Sequence, residues 1–304
     1  MVRHATRRQV SVRVPATTAN LGCGFDVLGL ALQIYNTFTL VLTPEPGWRA
    51  ILPDGVDLPS DADNLVFKAA RAVFAEVGSE PAGLQLFLDM DIPLARGLGS
   101  SSAAIIGGLL AANALAGNAM KRESLLDMAV EMEGHPDNVT PALMGGLTLS
   151  YAVDGCNAFL PLDFPSDLNL IVAIPDFELP TAKARAVLPP QISRADAVFN
   201  CSRTALLVAA LQSKRYDLLP AAMDDRLHQP FRAALVPGME AAMAAGYRAN
   251  ALGVVLSGAG PTLVALAHSE PEAVASAISD AFAAHQVTCR TQLVQSDVEG
   301  AVVC

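Results

Sequence analysis

Hydrophobic and polar positions change period several times along this chain. In QVSVRVP (9–15), Val10, Val12 and Val14 alternate with polar neighbours. A period of two predicts a half-buried strand. NTFTLVL (36–42) and LQLFLDM (84–90) predict two more. Between them, SDADNLVFKAARAVFAEVG opens on capping residues, puts Leu65, Ala69, Ala72, Val73 and Val77 on one stripe, and stops at Gly78. That is the signature of an amphipathic helix. The stretch between the first two strands, ATTANLGCGFD, reads as turns.

At 93–104 the pattern breaks. PLARGLGSSSAA is polar and glycine-rich, and an apolar run, IIGGLLAANALAG, follows at once. A membrane span needs roughly 20 apolar residues. This run is about 15 long and contains Asn113, so it predicts a buried helix over 100–116, followed by a second over 121–133 after a Gly-Asn turn.

Pro and Asp cluster in PLDFPSD (161–167), and NLIVAIP (169–175) then starts a new strand. The expected domains are therefore 1–167 and 168–304. The second half predicts helices near 181–188, 193–212, 214–224 and 238–246. Strands at 252–257 and 262–267 are joined by GAGP, and a helix at 271–284 and a strand at 286–294 close the chain. The class is α+β, in two parts.

Composition narrows the function. The chain has 304 residues, 52% hydrophobic and 16% charged, with a net charge of −10. That suits a large core and disfavours a nucleic-acid surface, which needs a basic face, or an anionic membrane. Only four lysines occur: Lys68, Lys121, Lys183 and Lys214. A phosphate ligand would have to be held by backbone N–H groups, arginines or a metal. Five scattered cysteines with no C-x-x-C suggest neither a disulfide framework nor a zinc cluster, and point to a reducing cytosol. The basic start, MVRHATRRQV, leads into no apolar stretch, so no secretory signal is expected.

The glycine–serine turn matches neither common phosphate loop. No Lys lies near it, and after Gly97 and Gly99, Ser102 stands where G-x-G-x-x-G needs its third glycine. The physics survives without the pattern: glycines allow close approach, and the first N–H groups of a helix lack internal partners. Two readings stay open here, a phosphate cradle and a serine N-cap on a buried helix.

Pro93 to Ser101, P-x-x-x-G-L-G-S-S, resembles the central motif of the GHMP kinases. VPATTANLGCGFDVLGLAL (14–32) resembles their first motif and LSGAGPTLVAL (256–266) their third, in the expected order. Within that group, A-N-L-G-x-G-F-D, EGHPDNVTPALMGGL (133–147), PTAKAR (180–185) and HQPFRAALVPG (228–238) are similar to the homoserine kinase family. Cys23 departs from the expected Pro. The resemblance implies an amino-terminal domain with a left-handed β-α-β unit, a ferredoxin-like carboxy-terminal domain and a cleft between them. It implies transfer of the ATP γ-phosphoryl group to the side-chain hydroxyl of L-homoserine, a step of threonine biosynthesis, with Mg²⁺, in a cytoplasmic homodimer.

The same resemblance assigns residues. ATP is expected along Pro93, Arg96, Gly97, Leu98, Gly99, Ser100, Ser101, Ser102 and Ala103, with Asn64 near the adenine. Mg²⁺ is expected on Glu133, with Glu131 as the competitor, and on Ser101 or Ser100. Arg185 and Arg232, with Thr181 nearby, fall to the substrate carboxylate, since a carboxylate suits a bidentate arginine. Asn20, Asp26 and Asp137 fall to its ammonium, and His135 to the same cleft. Asp26, Asn138 and Ser101 are the catalytic candidates; whether Asp26 takes the hydroxyl proton is open. Taken singly, each has a plainer reading: Asp26 and HPDN as turns, Glu133 as a solvated helix end, the arginines as surface charges, GAGP as a hairpin turn. A mevalonate-type kinase and a catalytically dead relative are the rival functions.

Overall fold

The computed structural model describes residues 8–304. The reading of the basic start falls largely on residues 1–7, outside the described residues.

The amino-terminal part runs β1 (Gln9–Ala19), β2 (Leu28–Thr43), β3 (Gly47–Ile51), α1 (Leu65–Val77), β4 (Gly83–Met90), α2 (Ser100–Leu115), α3 (Arg122–Glu133), α4 (Pro136–Met144), β5 (Leu147–Val153) and β6 (Cys156–Leu162). The carboxy-terminal part runs β7 (Asn169–Pro175), α5 (Thr181–Ala186), α6 (Arg194–Gln212), α7 (Leu219–Ala222), α8 (Gln229–Arg232), α9 (Met239–Arg248), β8 (Gly253–Leu256), β9 (Leu263–Ala267), α10 (Pro271–Ala284), β10 (Cys289–Val294) and β11 (Val302–Val303).

β1, β2, β4 and β3 lie side by side in the first sheet, and β5 pairs with the start of β2. β3 and β4 are parallel and joined through α1, so they form the β-α-β unit. The second sheet has the order β10-β7-β9-β8, entirely antiparallel. Numbered by position in the chain, that is a 4-1-3-2 order, the ferredoxin-like arrangement.

Several elements differ from the sequence expectation. β1 continues through Ala19, where the sequence suggests a turn, because residues 14–19 are buried on both faces and show no alternation. A register shift between Pro15 and Ala16 lets the strand bend there. β2 likewise begins at Leu28, well before the expected 36. β3, β5, β6, α4 and α8 are additional elements. The 214–224 helix shrinks to a 3-10 turn and the short α7. The chain's end also leaves the second domain. β11 pairs with β1, Val302 opposite Arg13, and covers what would be an open sheet edge.

α2 positions the site. It is buried on nearly every side, Ser102 to Leu115 apart from Ala104. A Cβ on Gly107 would strike the Phe38 ring, and one on Gly108 would strike Val66 O and the Ala69 methyl. The helix is thus clamped between the sheet and α1, with only its first turn reaching the interdomain cleft. Gly108→Val is expected to cost about 1–3 kcal/mol through overpacking and to lower the midpoint of thermal unfolding. An unchanged midpoint in a calorimetric scan would contradict this packing.

Candidate active site

Two glycines bring the turn before α2 against its neighbours. Gly97 (φ 76°) and Gly99 (φ 70°) are left-handed, a region that favours glycine. A Cβ on Gly97 would collide with Ser257 O and Gly260 N, and one on Gly99 with the Thr17 hydroxyl. The turn is therefore pressed between β1 and the β8–β9 loop. Thr17 N donates to Leu98 O at 3.1 Å, and Ser257 Oγ donates to Gly97 O at 2.7 Å.

Gly99 is the N-cap of α2, and no side chain caps the helix. The first helical bond is Ala103 N to Gly99 O, 2.8 Å. The amides of Ser100, Ser101 and Ser102 lack helical acceptors. The serine N-cap reading is thus replaced: the serines occupy the first turn itself. Their hydroxyls look to α3. Ser101 Oγ and Ser102 Oγ donate to Glu133 Oε1 at 2.7 and 2.9 Å. Glu133 lines the cleft, whereas Glu131 is exposed and outside it.

The remaining loop residues divide. Leu98, Ser102 and Ala103 are buried and can offer a ligand little beyond main chain. Pro93 and Arg96 line a neighbouring groove with Glu178 and Arg290, and Arg96 makes loose ion pairs with Asp176 (3.8 Å) and Glu178 (3.7 Å). Beside Ser100 and Ser101 opens an apolar slot of about 240 Å³, walled by Phe38, Leu58, Pro59, Leu88, Met90 and Leu94. Asn64 lines this slot, but its side chain is spent: it caps α1 by accepting from Val66 N (3.0 Å) and donates to Pro59 O (2.7 Å).

The cleft's other wall is charged. Asp26 (φ 57°) and Asn20 (φ 73°) are both left-handed, in the loop after β1. Asn20 braces that loop by accepting from Asp26 N (3.0 Å) and donating to Gly258 O (3.1 Å). The Asp26 carboxylate receives both terminal nitrogens of Arg185, at 2.7 and 3.2 Å, across the cleft. Burial works against the Arg185 cation, but Asp26 outweighs it and the pKa moves up. His135, the N-cap residue of α4, places Nδ1 2.7 Å from Asp137 Oδ1. Burial pushes this imidazole down, and the bond and charge of Asp137 carry it up on balance. Asn138 Oδ1 accepts from Thr17 Oγ1 at 2.7 Å. Thr181 lines the cleft from the start of α5.

Arg232 is 2% exposed yet lines the cleft. Burial and then the nearby Arg185 cation bring its pKa down to about 10. Arg185 and Arg232 both stack toward the Phe25 ring, at 5.7 and 5.4 Å.

The cleft thus gathers Asn20, Asp26, Ser100, Ser101 and Glu133 with His135, Asp137, Asn138, Thr181, Arg185 and Arg232. Sequence reasoning missed Thr17, Phe25, Gly258 and the slot wall. Phe25 and Gly258 stand inside motifs already quoted; the slot residues carry no chemical signal, being plain apolar positions on separate elements.

The profile of the GHMP kinases N terminal domain matches residues 64–146, and that of the GHMP kinases C terminal region matches 207–284. A protein of Trichormus variabilis named homoserine kinase is 45% identical over 297 residues, covering 96% of this chain and 98% of the relative. The crystal structure of homoserine kinase from Cytophaga hutchinsonii superposes with a TM-score of 0.90 at 32% identity, covering 100% of both chains. The Methanococcus jannaschii mevalonate kinase structure shares the fold, with a TM-score of 0.71 at 14% identity, covering 97% of this chain and 99% of that one.

The Thr17–Asn138 bond lies at the floor of this arrangement. Thr17→Val keeps the shape but strands a buried Asn138 oxygen. It is expected to destabilise the fold by about 1–3 kcal/mol, read as a lower urea midpoint with unchanged slope. No shift in midpoint would show that Asn138 finds another donor.

Proposed function

The chain belongs to the GHMP kinases and, among them, to the homoserine kinases, and from that membership we propose how its residues divide the work. The reaction moves the γ-phosphoryl group of ATP to the side-chain hydroxyl of L-homoserine. One observation carries the assignment: an uncapped helix start and an apolar slot meet a doubly charged pocket in a single cleft.

The adenine occupies the apolar slot, and the triphosphate runs along 96–103 onto the free amides of Ser100–Ser102. Those amides point positive partial charge at the phosphates and need no reorganisation during transfer. Ser101 and Glu133 fit a hard cation, since their oxygens converge to 2.7 Å. Ser101 and Glu133 would hold a Mg²⁺ ion there, and it would supply positive charge to offset that of the phosphates.

Homoserine is a zwitterion, and the cleft holds charges of both signs for it. Its ammonium takes the place of guanidinium on Asp26 and lies near Asp137. Its carboxylate takes Arg185 and Arg232. The exchange is cheap, because the Asp26 and Arg185 side chains are 34% and 36% exposed and a pair so exposed is worth about 0–1 kcal/mol. Asp26 has the role of orienting the substrate, since both of its carboxylate oxygens face the cleft's cations. Asn138 sits where it can hold the transferred group. Catalysis then rests on positioning and charge stabilisation, as phosphoryl transfer allows.

Family likeness supports a cytoplasmic homodimer, whose mass light scattering would read. No described helix is long and apolar enough to cross a membrane.

ADP release should require L-homoserine as well as ATP, and phosphorus NMR should show O-phosphohomoserine. Turnover with mevalonate instead would overturn the substrate. Glu133→Gln should lower turnover about 10- to 100-fold and raise the Mg²⁺ concentration needed for half-maximal rate. An unchanged Mg²⁺ dependence would remove Glu133 from the metal site.

A further inference from the structure

Three acceptors fix the Arg232 guanidinium. Nε donates to Ala184 O at 3.1 Å, and Nη1 donates to Gly258 O at 2.9 Å and to His228 Nδ1 at 3.2 Å. Among the described residues Nη2 has no hydrogen-bond partner, so it is the nitrogen left for a ligand in the cleft.

Two of the acceptors are main-chain carbonyls, and the third is a side chain. His228 is 0% exposed and precedes Arg232 by one helical turn. Only a neutral imidazole with its proton on Nε2 can accept at Nδ1. Gly22 O, 2.8 Å from Nε2, selects that tautomer, because a carbonyl only accepts. Burial favours the neutral ring as well, and the Arg232 cation adds to it, while Asp225, 3.5 Å from Nε2, opposes. The Asp225 carboxylate is otherwise engaged by the amides of Leu227, His228 and Gln229 and by Asn200 Nδ2. The imidazole also stacks on Phe25, at 5.1 Å and 22°, next to Asp26 in the chain.

We infer that His228 is a positioning residue for the amino-acid substrate: through its Nδ1 lone pair it sets the rotation of Arg232, so that Nη2 meets the substrate carboxylate. This rests on the reading of Arg232 as a carboxylate ligand. His228 itself touches no substrate. The competing role is purely structural, with the ring holding the Gly22 loop through Nε2.

The two ring nitrogens separate these roles. His228→Asn keeps an acceptor near the Nδ1 position and gives up the bond to Gly22. His228→Gln keeps a donor near the Nε2 position and gives up the bond to Arg232. His228→Phe gives up both and keeps the stack. Steady-state kinetics, with ATP and L-homoserine varied in turn, read the outcome. His228→Gln and His228→Phe should raise KM for L-homoserine roughly 10-fold or more, the scale of a lost hydrogen bond to a charged group. KM for ATP should hold, and kcat should stay within about threefold. His228→Asn should stay within about threefold of the parent in every parameter.

A normal KM in His228→Gln with a raised one in His228→Asn would overturn the inference in favour of the Gly22 loop. Normal values in all three would show that the carbonyls alone hold Arg232. Should His228→Phe fail to fold, the Asn and Gln substitutions decide between the roles. Arg232→Lys tests the underlying reading. If it leaves KM for L-homoserine unchanged, Arg232 is no carboxylate ligand and the inference falls with it. If Arg232→Lys raises KM and the His228 substitutions do not, only the inference falls.

Discussion

The first turn of α2 carries amide groups with neither a helical acceptor nor a side-chain cap, and the rest of the helix is locked into the core. A buried helix cannot shift to relieve that end, so the unmet hydrogen-bonding capacity is fixed in space. In a chain of net charge −10, this is how, in the proposed reading, an anionic nucleotide would find a favourable local field. None of the lysines lines the cleft or the apolar slot. The proposal gives main-chain dipoles the work of a phosphate-loop lysine, and Gly97 and Gly99 let neighbouring strands and loops close around them.

The opposite wall is organised by side chains that hold each other. Arg185 lies on Asp26, His135 on Asp137, and Thr17 on Asn138. The partners come from β1 and the loop after it, from the start of α4 and from α5. The cleft is therefore made only when both sheets are in place. The partly exposed Asp26–Arg185 pair is weak and exchangeable, while Arg232 is buried and fixed. In the proposed reading Arg185 changes partner when substrate binds and Arg232 supplies the reference point.

Much of the fold could be read from period alone. The strands at 9–15, 36–42 and 84–90 and the helix ending at Gly78 all appear. The failures have physical causes. The two-faced burial of β1 beyond Pro15 and of early β2 erases alternation. β5 does alternate, through Leu147, Leu149, Tyr151 and Val153, but its last three residues are exposed, so the pattern marks no continuous buried face. α4 opens with Pro136, which signals a turn and a helix start equally well. β11 exists only because it meets a strand almost the whole chain away. At the site, most of the motif residues converge on one cleft, but a motif does not give the bonding state. Asn20 and Asn64 are where the sequence put them, yet their amides brace main chain rather than stand free. For Asn20 the partner, Gly258, is 238 residues away, which no local pattern reveals.

The α2 amides are the proposed triphosphate cradle, and every other role in the cleft depends on them. Amide nitrogen–proton correlation spectra, recorded while a non-hydrolysable ATP analogue is titrated in with Mg²⁺, test it directly. The largest shifts should fall on Gly99, Ser100, Ser101 and Ser102, with smaller ones along the apolar slot. Saturation with those four amides unmoved, and the changes gathered instead around Glu178 and Arg290, would place the phosphates in the neighbouring groove and contradict it.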